Sequence, residues 1–413
     1  MNVEKKVEAP PAVSPEGAVT EGDRTADAAG ERAFAAALFG ALGKEKRGNL
    51  FVSPASARFA MSMVLAGARG DTAKELTALL GATPRSHDVA ATLAKDWAKL
   101  ATPPSNYEWE KNQVVVLRTA NRLFGQRGQA FLPPFVELTK ARYGAPIEAV
   151  EFSKDASGAR RTINDWVAAR TEQRIKDILT TDLPRETKLV LANAIYFKAP
   201  WVDAFEERAT KVEPFFGASG TTSVPMMRKT HARKYADLPD AHIVDLPYGS
   251  ERRPDIVMTL IIPKKTDGLA ELEKSLSPAT LQKWAWAASS LTTRTEVDLL
   301  LPKFRIESEL SLGGTLEALG AGSVFKFGKA DLSGIDVTKE LFVGLVLQKT
   351  FVAVDEKGTE AAAATVVAAI GGGMPPAPPK PVVVRADRPF LFMIRDVPRD
   401  RMLFIGRLAE PKG

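Results

Sequence analysis

The sequence predicts an α+β fold, and three observations carry that prediction. Apolar residues at helical spacing crowd the first half of the chain, β-branched and apolar runs of strand length crowd the second, and the two never settle into a regular alternation. With 413 residues and 45% hydrophobic composition, the chain can bury one large core or two modest ones. No internal repeat and no second composition shift divides it, so one domain is the simplest account.

The first 28 residues are polar and aperiodic, with Pro10, Pro11, Ser14, Pro15, Gly17 and Gly22 among them. They are expected to form a disordered lead before a single domain over 29–413. They lack the charged-then-apolar order of a signal peptide. The location expected is extracellular or periplasmic, with a removed leader replaced by Met1, and cytoplasmic is the alternative. Residues 33–42 open the folded part as a helix. Ser53 and Pro54 start the next, over 55–66: the serine caps free N–H groups, and proline suits a first turn whose N–H has no partner anyway. Residues 76–80, 90–100, 134–143 and 160–179 continue the helical series. Strands are expected at 189–197, 256–262, 296–301, 342–354 and 402–405.

Composition narrows the function. The formal charge of +6, from 56 basic and 50 acidic residues, is a mild and dispersed excess. Its densest stretch, Arg228 and Lys229 with His231, Arg233 and Lys234, reads as a solvated face rather than a nucleic-acid site. The absence of cysteine excludes disulfides, thiol catalysis and thiolate metal sites. Only His87, His231 and His242 are available as imidazole bases. No Gly-x-Ser-x-Gly elbow, Walker loop or His-Glu-x-x-His motif accompanies them. Neither an enzyme, a metal site nor a cofactor is expected.

Residues 356–381 stand apart. Glu356 and Lys357 lead to Gly358, which has no Cβ and suits a pivot. Thr359, Glu360, Ala361, Ala362, Ala363, Ala364 and Thr365 follow. Then come a small apolar run to Ile370, three glycines, Met374 and an exit rich in proline. Between Thr359 and Met374 only Glu360 is charged. In an extended strand Thr359, Ala361, Ala363, Thr365, Val367 and Ala369 share one small, uncharged face, and Glu360 falls on the other. A strand of about 14 residues spans roughly 45 Å. Its ladder bonds, at about 1 kcal/mol each, would yield on the order of 10 kcal/mol. The run is too short for a membrane span. The competing local reading is an Ala-rich surface helix followed by a polyproline linker.

This segment resembles the hinge and reactive loop of the serpins, inhibitors that trap serine proteases by a change of fold. Residues 49–56 (NLFVSPAS), 67–76 (GARGDTAKEL), 163–167 (INDWV) and 189–198 (LVLANAIYFK) are similar to further serpin signatures. So are 224–227 (VPMM), 246–248 (LPY), 301–304 (LPKF), 331–334 (DLSG) and 388–392 (RPFLF), in the expected order. Any one of these is weak, but all in register are not. The resemblance implies three β-sheets surrounded by about nine helices, with an exposed mobile loop. It implies a suicide inhibitor: a target serine protease acylates itself on the loop, and the cut loop inserts into the main sheet before hydrolysis, leaving a covalent complex with a monomeric inhibitor. The family spacing puts the reactive bond at Gly372–Gly373, with Ile370 and Met374 as alternatives. It places Ser53, Ser56, Asn193 and Gln348 where the main sheet parts, and Trp201 where insertion begins. Gln348 departs from the histidine many serpins carry there, which removes a titratable group from the opening. No Lys, Arg or Asp occurs between Thr359 and Pro379, so elastase-, subtilisin- or chymotrypsin-like targets are expected. A hinge without bulky or charged blocks favours the inhibitor over a non-inhibitory carrier or chaperone. The Ala/Arg-rich composition suggests a prokaryotic source.

Overall fold

Local caps decide where the helices of the first half begin. The computed structural model describes residues 17–103, 113–338, 340–359 and 380–411. Helix α1 (Glu21–Glu45) starts at a capping box in which Thr20 and Asp23 satisfy each other's backbone N–H groups. It therefore begins inside the segment expected to be a disordered lead. Asp27 is already buried, accepting from Arg58 at 2.8 and 3.0 Å and from Arg401 at 2.7 Å. Strand β1 (Leu50–Val52) precedes α2 (Pro54–Gly67), which is capped by the Ser53 hydroxyl with Pro54 in its first turn, as expected. Then come α3 (Gly70–Leu80), α4 (Ser86–Ala98), β2 (Val116–Gln126), α5 (Pro133–Tyr143) and β3 (Glu148–Val150).

The helix expected over 160–179 is α6 (Ala156–Arg170), and it stops earlier. Glu172 and Gln173 adopt positive φ, and the Thr171 hydroxyl accepts the Ile175 N–H, turning the chain out of the helix. Ile175, Ile178 and Leu179 are still buried, as an irregular strap and not as helix. The chain continues through β4 (Leu189–Pro200), β5 (Lys211–Gly217), β6 (Gly220–Arg233), β7 (Tyr235–Asp237), β8 (Ala241–Pro247) and β9 (Ile256–Pro263). Next come α7 (Leu269–Lys274), α8 (Pro278–Ser289), β10 (Thr295–Pro302), β11 (Phe304–Ser311) and α9 (Gly313–Ala318). The last elements are β12 (Leu345–Asp355), β13 (Gly358–Thr359), β14 (Val382–Arg385), β15 (Phe390–Asp396) and β16 (Arg401–Leu408).

Nine α-helices and three sheets are thus present among the described residues, and the α+β expectation holds. The main sheet runs β11-β12-β13-β4-β2-β3, the second β1-β16-β15-β9-β8-β7, and the third β14-β10-β6-β5. The main sheet is covered on both faces, which is why β4 reads as a continuous apolar run. Val190, Ala192, Ala194 and Leu347 pack with Ile163 and Val167 of α6 and with the strap behind it. Leu189, Leu191 and Val346 face the other way, into the core shared with α2. The basic stretch is not the uniform solvated face expected. On β6 it splits by strand alternation: Arg228 and Thr230 reach Asp298, while Lys229, His231 and Arg233 turn to Asp203.

Candidate functional site

Strands β12 and β4 pair in parallel from Leu345–Val190 to Phe351–Tyr196, and beyond that point they diverge. The gap is filled by the chain itself. After β12 it reverses through a tight turn in which the Asp355 carboxylate accepts the N–H groups of Lys357 and Gly358. It then returns between the two strands as β13, pairing antiparallel with β12 (Val354–Thr359) and with β4 (Thr359–Ala199). Glycine is required at the turn. Gly358 has φ +147°, and a Cβ there would lie 2.2 Å from the Ala199 carbonyl oxygen.

Three contacts hold this wedge. The Thr359 side chain is fully buried and its hydroxyl pairs with the Tyr248 hydroxyl at 2.7 Å. Trp201 stacks on Tyr248 at 4.3 Å, donates its indole N–H to the Asp355 carbonyl, and donates its backbone N–H to the Lys357 carbonyl. Glu356 accepts from Thr210 at 2.7 Å and lies 2.8 Å from the Lys303 ammonium. Burial alone would raise the Glu356 pKa, but its bonds to Lys303 and Thr210 outweigh it and hold the carboxyl below its ordinary value.

Further down the same seam, Gln348 and Asn193 stand directly opposite each other. The Gln348 amide accepts the Ser53 N–H and donates to the Ser53 carbonyl, both at 2.9 Å, and donates to Asn193 at 2.6 Å. The Asn193 amide in turn donates to Ser56 Oγ at 2.7 Å and contacts Asn121. The Ser53 hydroxyl donates to the Leu403 carbonyl at 2.6 Å. Every member is buried and none is ionisable, so this lower end of the seam is closed by neutral hydrogen bonds alone.

The residues expected where the sheet parts therefore come together: Ser53, Ser56, Asn193 and Gln348 in one network, and Trp201 with Glu356, Gly358 and Thr359 at the top. Tyr248, Lys303, Thr210 and Asn121 also take part. Of these, Tyr248 and Lys303 lie in motifs whose likeness was visible although their role was not. The remaining hinge residues (Glu360, Ala361, Ala362, Ala363, Ala364 and Thr365) and the expected reactive bond at Gly372–Gly373, with Ile370 and Met374, lie outside the described residues. The chain is described again from Lys380, and β14 pairs in parallel with β10, in a different sheet from β13.

Comparison with known proteins agrees with this geometry. A family model described as Serpin (serine protease inhibitor) matches residues 29–411. Leukocyte elastase inhibitor from Equus caballus is 35% identical over 386 residues, covering 92% of this chain and 97% of the relative. Serpin B8 from Homo sapiens is 36% identical over 383 residues, with the same coverage. Among solved structures, maspin superposes with a TM-score of 0.82 at 25% identity, over 95% of this chain and all of maspin's (100%). Serpin48 of the insect Tenebrio molitor gives 0.77 at 27%, over 94% and 99%. These relatives are animal proteins and lend no support to a prokaryotic source, nor to an extracellular or periplasmic location. Among the described residues no helix is long and apolar enough to cross a membrane.

Proposed function

This chain belongs to the serpin family, and from that premise we propose that it is a suicide-type inhibitor of serine endopeptidases with small or apolar primary specificity. The observation that carries the reading is β13: Gly358 and Thr359 of the hinge already occupy the gap between β12 and β4, with both neighbours hydrogen-bonded to them. The residues that follow, Ala361 to Ala364, are small enough to extend that strand down the seam. A protease serine attacks the loop, the peptide bond breaks, and the acyl-enzyme is carried away as the freed segment inserts. Gly372–Gly373 is the bond proposed for attack, with Ile370 and Met374 as the other positions. The loop composition and the name of the leukocyte elastase inhibitors it resembles both support an elastase-like target.

In this reading the inhibitor is a monomer whose domain spans 29–413, with the first turns of α1 added ahead of it. No turnover chemistry is proposed. His87 pairs with Tyr143, His231 lies against Asp203, and His242 against Tyr235 and Asp237, and among the described residues none is hydrogen-bonded to a serine or threonine hydroxyl.

The test is to mix the protein separately with leukocyte elastase, pancreatic elastase, subtilisin, chymotrypsin and trypsin. A complex with one of the first four that survives denaturing electrophoresis is expected, and the mass of the released C-terminal peptide identifies the bond. Clean cleavage without a complex, and without a rise in thermal stability, would overturn the inhibitory reading in favour of a carrier or chaperone.

A further inference from the structure

A cavity of about 360 Å³ opens where the end of β6 meets β8, the start of β9 and the segment after α8. That volume is within the range of small-molecule sites. One part of its lining is apolar, formed by Pro247, Val257 and Val397. The rest carries basic groups in excess of what its carboxylates can serve.

Asp203 alone meets three bases. Lys229 donates to it, Arg233 donates at 3.3 Å, and the His231 ring lies 3.5 Å away. The buried Arg233 still has its Nε without a hydrogen-bond partner. Asp245 is fully engaged by Thr259, Ser289 and Arg395. The third carboxylate, Glu251, is solvent-exposed. Lys234 reaches only the Ser289 carbonyl, at 3.5 Å, and Arg294 forms no ion pair among the described residues. Arg294 nonetheless stands close enough to add to the burial that lowers the His231 pKa. Two cations thus face a cavity that has an apolar wall and, among the described residues, no carboxylate at ion-pair distance from them.

We propose that this cavity binds a small amphipathic organic anion, its acidic group held by Lys234 and Arg294 and its apolar body against Pro247, Val257 and Val397. The site adjoins the hinge. The Val202 N–H donates to the Pro247 carbonyl at 2.9 Å, and these two residues are the chain neighbours of Trp201 and Tyr248. The proposal does not depend on inhibition.

The intact protein can be titrated with anilinonaphthalene sulfonate and, in parallel, with N-phenyl-1-naphthylamine, which offers the same rings without the charge. Saturable binding of one sulfonate per chain is expected, at least tenfold tighter than the neutral amine. Lys234→Gln combined with Arg294→Gln should weaken the sulfonate at least tenfold, leaving the neutral probe and the melting temperature unchanged. Both side chains are at least partly exposed, so the variant keeps its fold. Equal affinity for the two probes, no saturable site, or unaltered sulfonate binding by the double variant would overturn the proposal.

Discussion

The seam between β12 and β4 is held by different chemistry at its two ends. At the lower end Gln348, Asn193, Ser53 and Ser56 close it with buried neutral hydrogen bonds, and the strands pair directly. At the upper end the strands are apart, and Gly358 and Thr359 prop the gap beneath a Trp201–Tyr248 stack and a Glu356–Lys303 ion pair. A sheet able to accept a further strand need not be weak throughout. It can be started at one end and latched at the other, so that insertion begins where pairing is already lost and proceeds against bonds worth about 1 kcal/mol each.

The largest break in this contrast is expected from Thr359→Arg, which would force a cation into the fully buried position between two strands. Covalent complexes with the responsive protease should fall at least tenfold while loop cleavage continues. An unchanged rate of complex formation would mean that insertion does not pass through this gap. Second in size is Asn193→Ala at the latch, which leaves the Gln348 amide and Ser56 short of partners and should cost about 2–3 kcal/mol. Denaturant titration at pH 5 and pH 8 should give the same loss, because nothing in that network titrates.

Gly358→Ala probes the wedge itself. Its Cβ meets backbone in a conformation that L residues rarely adopt, so about 1–2 kcal/mol should be lost. The Thr359 amide should exchange faster as β13 withdraws; protection equal to the parent's would contradict the wedge. The smallest effect is Glu356→Gln, and its value lies in pH. The Glu356 carboxyl titrates below its ordinary 4.5, so its contribution is complete above that pH and fades as pH falls through the lowered value. Parent and variant should therefore differ at pH 7 and converge in acid, whereas the Asn193→Ala deficit persists. A Glu356→Gln difference that ignored pH would erase the distinction between the two ends.

Much of this was legible in the sequence for identifiable reasons. Residues 189–197 announce themselves because a strand buried on both faces is apolar throughout, and Ser53-Pro54 announces α2 because a cap is a local device. Strand β2 was not anticipated: its pairing with β4 is long-range, and its sequence carries Arg118, Asn121 and Arg122. The end of α6 was missed because Ile175 and Ile178 keep a helical spacing while serving an irregular strap. Ser53, Ser56, Asn193, Gln348 and Trp201 were found through their motifs. Tyr248 and Lys303 sat in motifs as visible, but only folding shows what their side chains reach.

The buried Asp27–Arg401 pair carries a consequence in time. Arg401 also reaches Glu31, and it begins β16, which lies inside its sheet between β1 and β15. At a synthesis rate of about 5–20 residues per second, Arg401 follows Asp27 by roughly 20–75 s. Through that interval Glu31 lacks its guanidinium, Asp27 has only that of Arg58, and the edge of β1 that β16 will cover stays open. Strand β16 is the keystone, so a chain released before residue 401 leaves the ribosome without the piece on which α1 closes.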